Sequence, residues 1–211
     1  MAVIVCFGDS NTWGADPTGA GRFAPDVRWT GVLADRLGTG HRVIEEGLNG
    51  RTTNLTDVIE EDRNGRSYLL PCLQSHAPFD LVMIMLGTND LKARFNRSAS
   101  DIAQSAVNLG QLARKQPVGP GKERPEVLII APPALVQPPV FDEMFEGGVE
   151  KSRQFSRWYE TFVNNTDLHF MDAGAVIESS AVDGIHFDSE SHRALGEAIA
   201  DRIADILAEV S

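Results

Sequence analysis

Two runs, FDLVMIML (79–86) and EVLIIAP (126–132), are apolar almost from end to end. A strand with one wet face alternates apolar and polar residues, so a run without alternation belongs to a strand covered on both faces, as in a parallel sheet with helices on either side. AVIVCF (2–7), HRVIEEG (41–47) and LHFMDA (168–173) read as further strands of the same sheet. Helical patterns separate them. RWTGVLADRLG (28–38) spaces its apolar residues at helical period and stops at Gly38, and 100–115 and SRQFSRWYETFVNN (152–165) keep the same period. The last helix opens at Ser189 or Glu190 and marks one face with Leu195, Ile199, Ile203, Ile206 and Leu207. This alternation predicts a three-layer α/β/α sandwich around a central parallel sheet, joined by right-handed crossovers.

The 211 residues, 42% hydrophobic and 23% charged, suit one soluble core of this kind, so residues 1–211 are expected to form a single domain. A formal net charge of −11, with no cluster of Lys and Arg, argues against non-specific binding to nucleic acid or to an anionic membrane. No run approaches the roughly 20 apolar residues of a membrane span, and the first run is too short and lacks the basic flank of a secretory signal. Cys6 in a strand and Cys72 in a helix read as small core residues rather than a disulfide. The expectation is a cytoplasmic protein.

In an open parallel sheet, ligands sit beyond the carboxyl ends of the strands. GDS follows the first strand, GLNGRTT the second, GTND the third and, further on, VDGIHFD the fifth. Ser10 alone is also what a turn or a helix cap uses. A serine hydroxyl becomes a nucleophile only when a base takes its proton, and DGIHFD supplies His186 with Asp183 three residues before it to orient the ring. Attack on an ester carbonyl also needs donors for the oxyanion, and the Asn89 amide with the backbone N–H groups of Ser10 and Gly50 can provide them. His41, His76, His169 and His192 read as structural or solvated. Asp9 and Asp90 suit the anchoring of their own loops.

These blocks carry a resemblance. GDSNTWG, GLNGRTT, GTND and DGIHFD, in this order along nearly the whole chain, resemble the four motifs of the SGNH, or GDSL, hydrolase superfamily. The resemblance implies a flavodoxin-like SGNH-hydrolase fold, with Ser10 as nucleophile, Asp183 and His186 completing the triad, and Ser10, Gly50 and Asn89 forming the oxyanion hole. Asn11 departs from the family, which commonly has Leu there; the difference bears on local packing and the pocket entrance. RFAPDVRWTGVLA, VIEEGLNGRTT, IMLGTNDLKARF and FEGG look like the arylesterase and acyltransferase branch. Members of that branch cleave short acyl esters, some passing the acyl group to alcohols or peroxide, and they assemble into larger homo-oligomers, up to octamers, whose subunits wall the pocket. The expected partners are a small ester and further copies of the chain, with no cofactor and no metal.

The apolar segment PPALVQPPVFDEMFEGG (132–148) could then line the acyl pocket, meet a neighbouring subunit, or both. Candidate pocket residues are Asp9, Asn11, Trp13, Lys92, Met144 and Phe145. Trp13 and Phe145 serve equally well as core, and Lys92 fits a surface salt bridge better than the pocket mouth. KQPVGPGKERP (115–125) lacks the spacing of a phosphate cradle. Two other functions remain open on the residues alone. Asp9, Asn89, Asp90, Asp183, His186, Asp188 and His192 offer oxygen and nitrogen ligands for a metal-dependent phosphoesterase, although the first strand lacks an Asp-x-His pair. A non-catalytic acyl-group binder would keep the pocket without turnover.

Overall fold

The computed structural model describes residues 1–117, 124–138 and 141–209. Five parallel strands, β1 (Ala2–Gly8), β2 (His41–Gly47), β3 (Leu81–Met85), β4 (Glu126–Ala131) and β5 (His169–Asp172), form one sheet in the order β2-β1-β3-β4-β5. Every residue of β3 is buried, and β4 is buried from Val127 onward, whereas the edge strands β2 and β5 are only partly covered.

The two-residue period of the strands divides the core. Val5, Phe7, Val82, Ile84, Val127 and Ile129 point to one face, where α3 (Gly65–His76), α4 (Ala99–Arg114) and α6 (Phe155–Val163) close over them with Leu69, Leu73, Ile102, Phe155 and Tyr159. Ile4, Cys6, Leu81, Met83, Leu128 and Ile130 point to the other, against Trp29 and Leu33 of α2 (Trp29–Leu37) and Leu195, Ile199, Ile203 and Ile206 of α7 (Ser189–Glu209). The result is the three-layer sandwich expected from the sequence.

Within the run read as a helix at 152–165 lies α6, and Ser152 ends a separate short helix, α5 (Gly148–Ser152). Only Phe155, Tyr159 and Val163 keep a buried face at helical spacing, and Ser152 is otherwise engaged, accepting a hydrogen bond from Leu135 N at 2.9 Å. Residues 118–123 of the Gly/Pro loop and 139–140 of the apolar segment lie outside the described residues. No helix among the described residues is long and apolar enough to cross a membrane.

The strand order places the site. From β1 the chain moves to β2 on one side, then returns across the sheet to β3 on the other, so the crossovers leaving β1 and β3 diverge. The crevice between the carboxyl ends of those two strands is where open α/β sheets bind ligands.

Candidate active site

At the end of β1 the chain turns into a four-residue helix, α1 (Ser10–Trp13), whose first residue is Ser10. Asp9 caps it, its carboxylate accepting from Asn11 N at 3.0 Å, and Gly14 closes it in the left-handed region at φ 88°. Asp9 is buried, and burial pushes its carboxyl up to about 6 against the pull of Asn11 N–H, His186 and Arg51. The sequence role of anchor fits this geometry.

The second part of the site lies between Ser180 and His186, where Gly184 N donates to Ser180 O and Ser180 N donates to His186 O, both at 2.8 Å. Gly184 sits at φ 80°, and a Cβ there would meet Val136 O and Pro138, so glycine is required on both counts. Within this turn Asp183 Oδ1 accepts from the backbone N–H groups of Ile185 and His186, both at 2.9 Å, leaving Oδ2 for His186 Nδ1 at 2.5 Å. Burial works to raise the Asp183 carboxyl, but the His186 ring and the two backbone donors outweigh it and hold the pKa below the usual carboxylate value. His186 Nε2 in turn lies 2.9 Å from Ser10 Oγ. Carboxylate, imidazole and hydroxyl therefore form one unbroken relay.

The backbone N–H groups of Ser10 and Gly50 have no hydrogen-bond partner among the described residues. Asn89, at the start of a 3₁₀ turn (Asn89–Leu91), donates from Nδ2 to Arg51 O at 3.2 Å and only distantly, at 3.5 Å, to Asp9 Oδ2. One amide hydrogen thus fixes the side chain and the other is weakly held. Two unpaired backbone donors and a third that is easily released are what a developing oxyanion requires.

The chain matches the GDSL-like lipase/acylhydrolase family over residues 6–194. It belongs to that family. Among solved structures, this acylhydrolase-family chain is similar to an aryl esterase of M. smegmatis, at 46% identity over 97% of this chain and 99% of that one, with a TM-score of 0.92. It is also similar to Est24, a carbohydrate acetylesterase from Sinorhizobium meliloti, at 42% identity over 98% and 100% of the two chains, with a TM-score of 0.93. A lipolytic G-D-S-L family protein of Veillonella parvula shares the fold at 17% identity, covering 94% of this chain and 96% of that chain with a TM-score of 0.68. No curated protein matches the chain.

The candidate pocket residues of this acylhydrolase-family chain are distributed unevenly. Asn11 is 2% exposed, and its Nδ2 donates to Ile185 O at 3.3 Å; it faces the histidine turn rather than an entrance. Trp13 is half-buried under the Arg22 guanidinium, 4.9 Å from the ring centre. Phe145 belongs to the core, with Met144 packed against its edge, and Met144 O accepts from Ala93 N at 2.8 Å. Lys92 corrects its reading as a surface ion pair: it is 3% exposed, with Nζ 2.5 Å from Glu60 Oε1, because its stem is enclosed by the loop after β2. Residues 132–137, 142, 143 and 145–147 line a groove of about 1460 Å³ together with Glu150, but Ser10, Asn89 and His186 are not among its lining residues.

The ligands of the metal reading are not gathered. Asp90 is buried, receives Thr53 N at 3.0 Å and Thr53 Oγ1 at 2.5 Å, and is pushed up to about 7 chiefly by burial. Asp188 accepts from Ser191 N at 2.8 Å, and His192 Nδ1 accepts from Trp29 N at 3.2 Å. A different trio, Glu46, Cys72 and His76, brings three ligand-type atoms within 4.8 Å of one another, but His76 Nε2 already pairs with Glu46 Oε1 at 2.6 Å. Sequence reasoning missed Thr53, Arg51 and Ile185 as supports of the site. Each acts through a backbone group or through a contact to a distant loop, and neither leaves a pattern in residue type.

Proposed function

We propose that the protein is a metal-independent serine esterase acting on short acyl esters of aryl, alkyl or acetylated-sugar alcohols. His186 Nε2 takes the Ser10 proton as Oγ bonds to the ester carbonyl carbon. The electron pair of the carbonyl moves onto its oxygen, where Ser10 N–H, Gly50 N–H and Asn89 Nδ2 stabilise it, each such donor contributing about 2.7–4 kcal/mol in other enzymes. Asp183 holds the imidazole in the tautomer that accepts this proton and stabilises the imidazolium. Collapse breaks the bond to the alcohol, which leaves with the proton from His186. Water, deprotonated by the same imidazole, then releases the acid and restores Ser10. An alcohol or peroxide occupying the place of water would carry the acyl group away instead, and this transfer forms part of the same proposal.

The observation that carries this reading is the relay from Asp183 through His186 to Ser10. The aryl esterase and acetylesterase likeness supports the substrate class. The buried free thiols Cys6 and Cys72 support a reducing, cytoplasmic setting. The test compares a serine-directed organophosphorus reagent with a chelator on a short-chain aryl ester assay. The reagent is expected to abolish turnover, with one adduct on Ser10, while the chelator leaves it intact; Ser10→Ala should lose activity by about 10³-fold or more. Chelator-sensitive turnover would favour the phosphoesterase, and an inactive wild type the acyl binder.

A further inference from the structure

Two of the proposed oxyanion donors, Gly50 and Asn89, sit on different crossovers, whose loops meet where Asn89 Nδ2 donates to Arg51 O at 3.2 Å and Thr53 N donates to Asp90 Oδ2 at 3.0 Å. The chain after Gly50 makes an excursion whose ends are pinned together, Thr52 N donating to Arg63 O at 2.9 Å and Gly65 N to Thr52 O at 3.1 Å. Its middle is held by charge. Lys92 Nζ lies 2.5 Å from Glu60 Oε1 and 3.9 Å from Asp57 Oδ2, and Arg94 Nη2 lies 2.5 Å from Asp57 Oδ2 and 2.8 Å from Glu60 Oε1. The side chains of Asp57 and Lys92 are 0% and 3% exposed while those of Arg94 and Glu60 are 22% and 34%, so this charge-balanced quartet has an enclosed inner half and a partly solvated outer half. The other carboxylate oxygen of Glu60 rests against Gly50, so close that a Cβ on Gly50 would overlap it. Lys92 follows Asn89 by one 3₁₀ turn, its N–H donating to Asn89 O at 3.3 Å.

We infer that the Glu60–Lys92 ion pair, with Asp57 and Arg94 around it, is a positioning device for the oxyanion hole: acting with the direct hydrogen bonds between the two loops, it holds the Gly50 N–H in place relative to the Asn89 amide. The inference rests on the esterase reading and deepens it. The pair touches no reacting atom. It acts by clamping the left-handed Gly50 corner, at φ 78°, onto the loop that presents Asn89. Donors misplaced by a fraction of an ångström lose their effect on the transition state while a neutral ester still binds.

The test uses Lys92→Met, Glu60→Gln and the double variant Glu60→Gln/Lys92→Met, which leaves neither partner charge uncompensated and keeps the question open if a single variant fails to fold. Aryl-ester kcat and KM are measured beside the inhibition constant of an alkylboronic acid, whose serine adduct puts an anionic oxygen in the hole. The expected result is a kcat lower by about tenfold, KM within about twofold, and boronate inhibition weaker by about the same tenfold, with Lys92→Arg recovering most of the loss. Folded variants with unchanged kcat and boronate affinity, or with a raised KM alone, would overturn the inference. A wild type that neither turns over the ester nor binds the boronate would overturn the esterase reading and the inference with it, a result distinct from an active wild type with unaffected variants.

Discussion

Asn11 stands beside the proposed nucleophile with one half of its amide used and the other idle. Its Nδ2 donates to Ile185 O, one residue before His186, while its buried Oδ1 has no partner among the described residues. Asn11→Leu would strand the Ile185 carbonyl, costing about 1–3 kcal/mol, and remove an orphaned acceptor of similar cost. Melting is therefore expected to shift by less than about 1 kcal/mol, while kcat falls severalfold as the histidine turn loosens; a calorimetric scan beside an ester assay checks both. His192 gives a second prediction. Burial, aided by Arg28 and His186, holds its pKa down at about 4 against an unfolded value of 6.5. Between those values the unfolded chain binds the proton and the folded chain does not, so stability must fall as pH drops from about 6.5 to about 4, by on the order of 3 kcal/mol in full. Asp9 and Asp90, raised to about 6 and about 7, oppose this by favouring the folded state at low pH. The informative comparison is therefore His192→Gln against wild type at each pH: the variant should melt relatively later at pH 4.5 than at pH 7. An equal offset at both would contradict the assignment. That Ser10, Asp183 and His186 meet was legible from residue type, because a hydroxyl, a base and an orienting carboxylate each follow a strand. The burial of Lys92 was not, since its partners Asp57 and Glu60 lie 35 and 32 positions upstream in a loop without periodicity.

The short helix α1 is positioned by what it lies against. Gly47, the last residue of β2, lets the backbone of Thr12 and Trp13 approach so closely that a Cβ would fall on Trp13 N. Gly47→Ala must push α1 and Ser10 away, since backbone cannot rotate aside as a side chain can. Urea melts should show a loss of about 1–3 kcal/mol, with a larger fractional loss of kcat than of KM. Elements of this length are hard to read: α1 offers one turn and no period, and GDSNTW reads as a loop. The long elements were legible because burial writes a pattern. The five strands lie where the apolar runs put them, β2 with the same ends, while β3 is shorter than its run because Phe79, Asp80 and Leu86 lie beyond the paired residues. The start of α6 at Phe155 rather than Ser152 was hidden because Ser152 has a polar partner that helical spacing does not report.

The whole molecule leaves Val58 and Ile59 87% and 71% exposed, adjacent along the loop that the ion quartet holds in place. We propose that this lip is covered by another copy of the chain, in line with the homo-oligomer that the family resemblance implies. Val58→Asp/Ile59→Asp should reduce the mass measured by light scattering without lowering the melting temperature by more than a few degrees; an unchanged mass would remove the lip from the interface. At this scale the layered architecture was legible from alternation alone. The order β2-β1-β3-β4-β5 was not, because pairing between distant strands depends on which crossovers pack together. Finally, the imidazole meets the hydroxyl across 176 positions of sequence. Under the proposed mechanism, a partly synthesised polypeptide would expose its serine early but gain a proton acceptor only once the turn that carries residue 186 has docked.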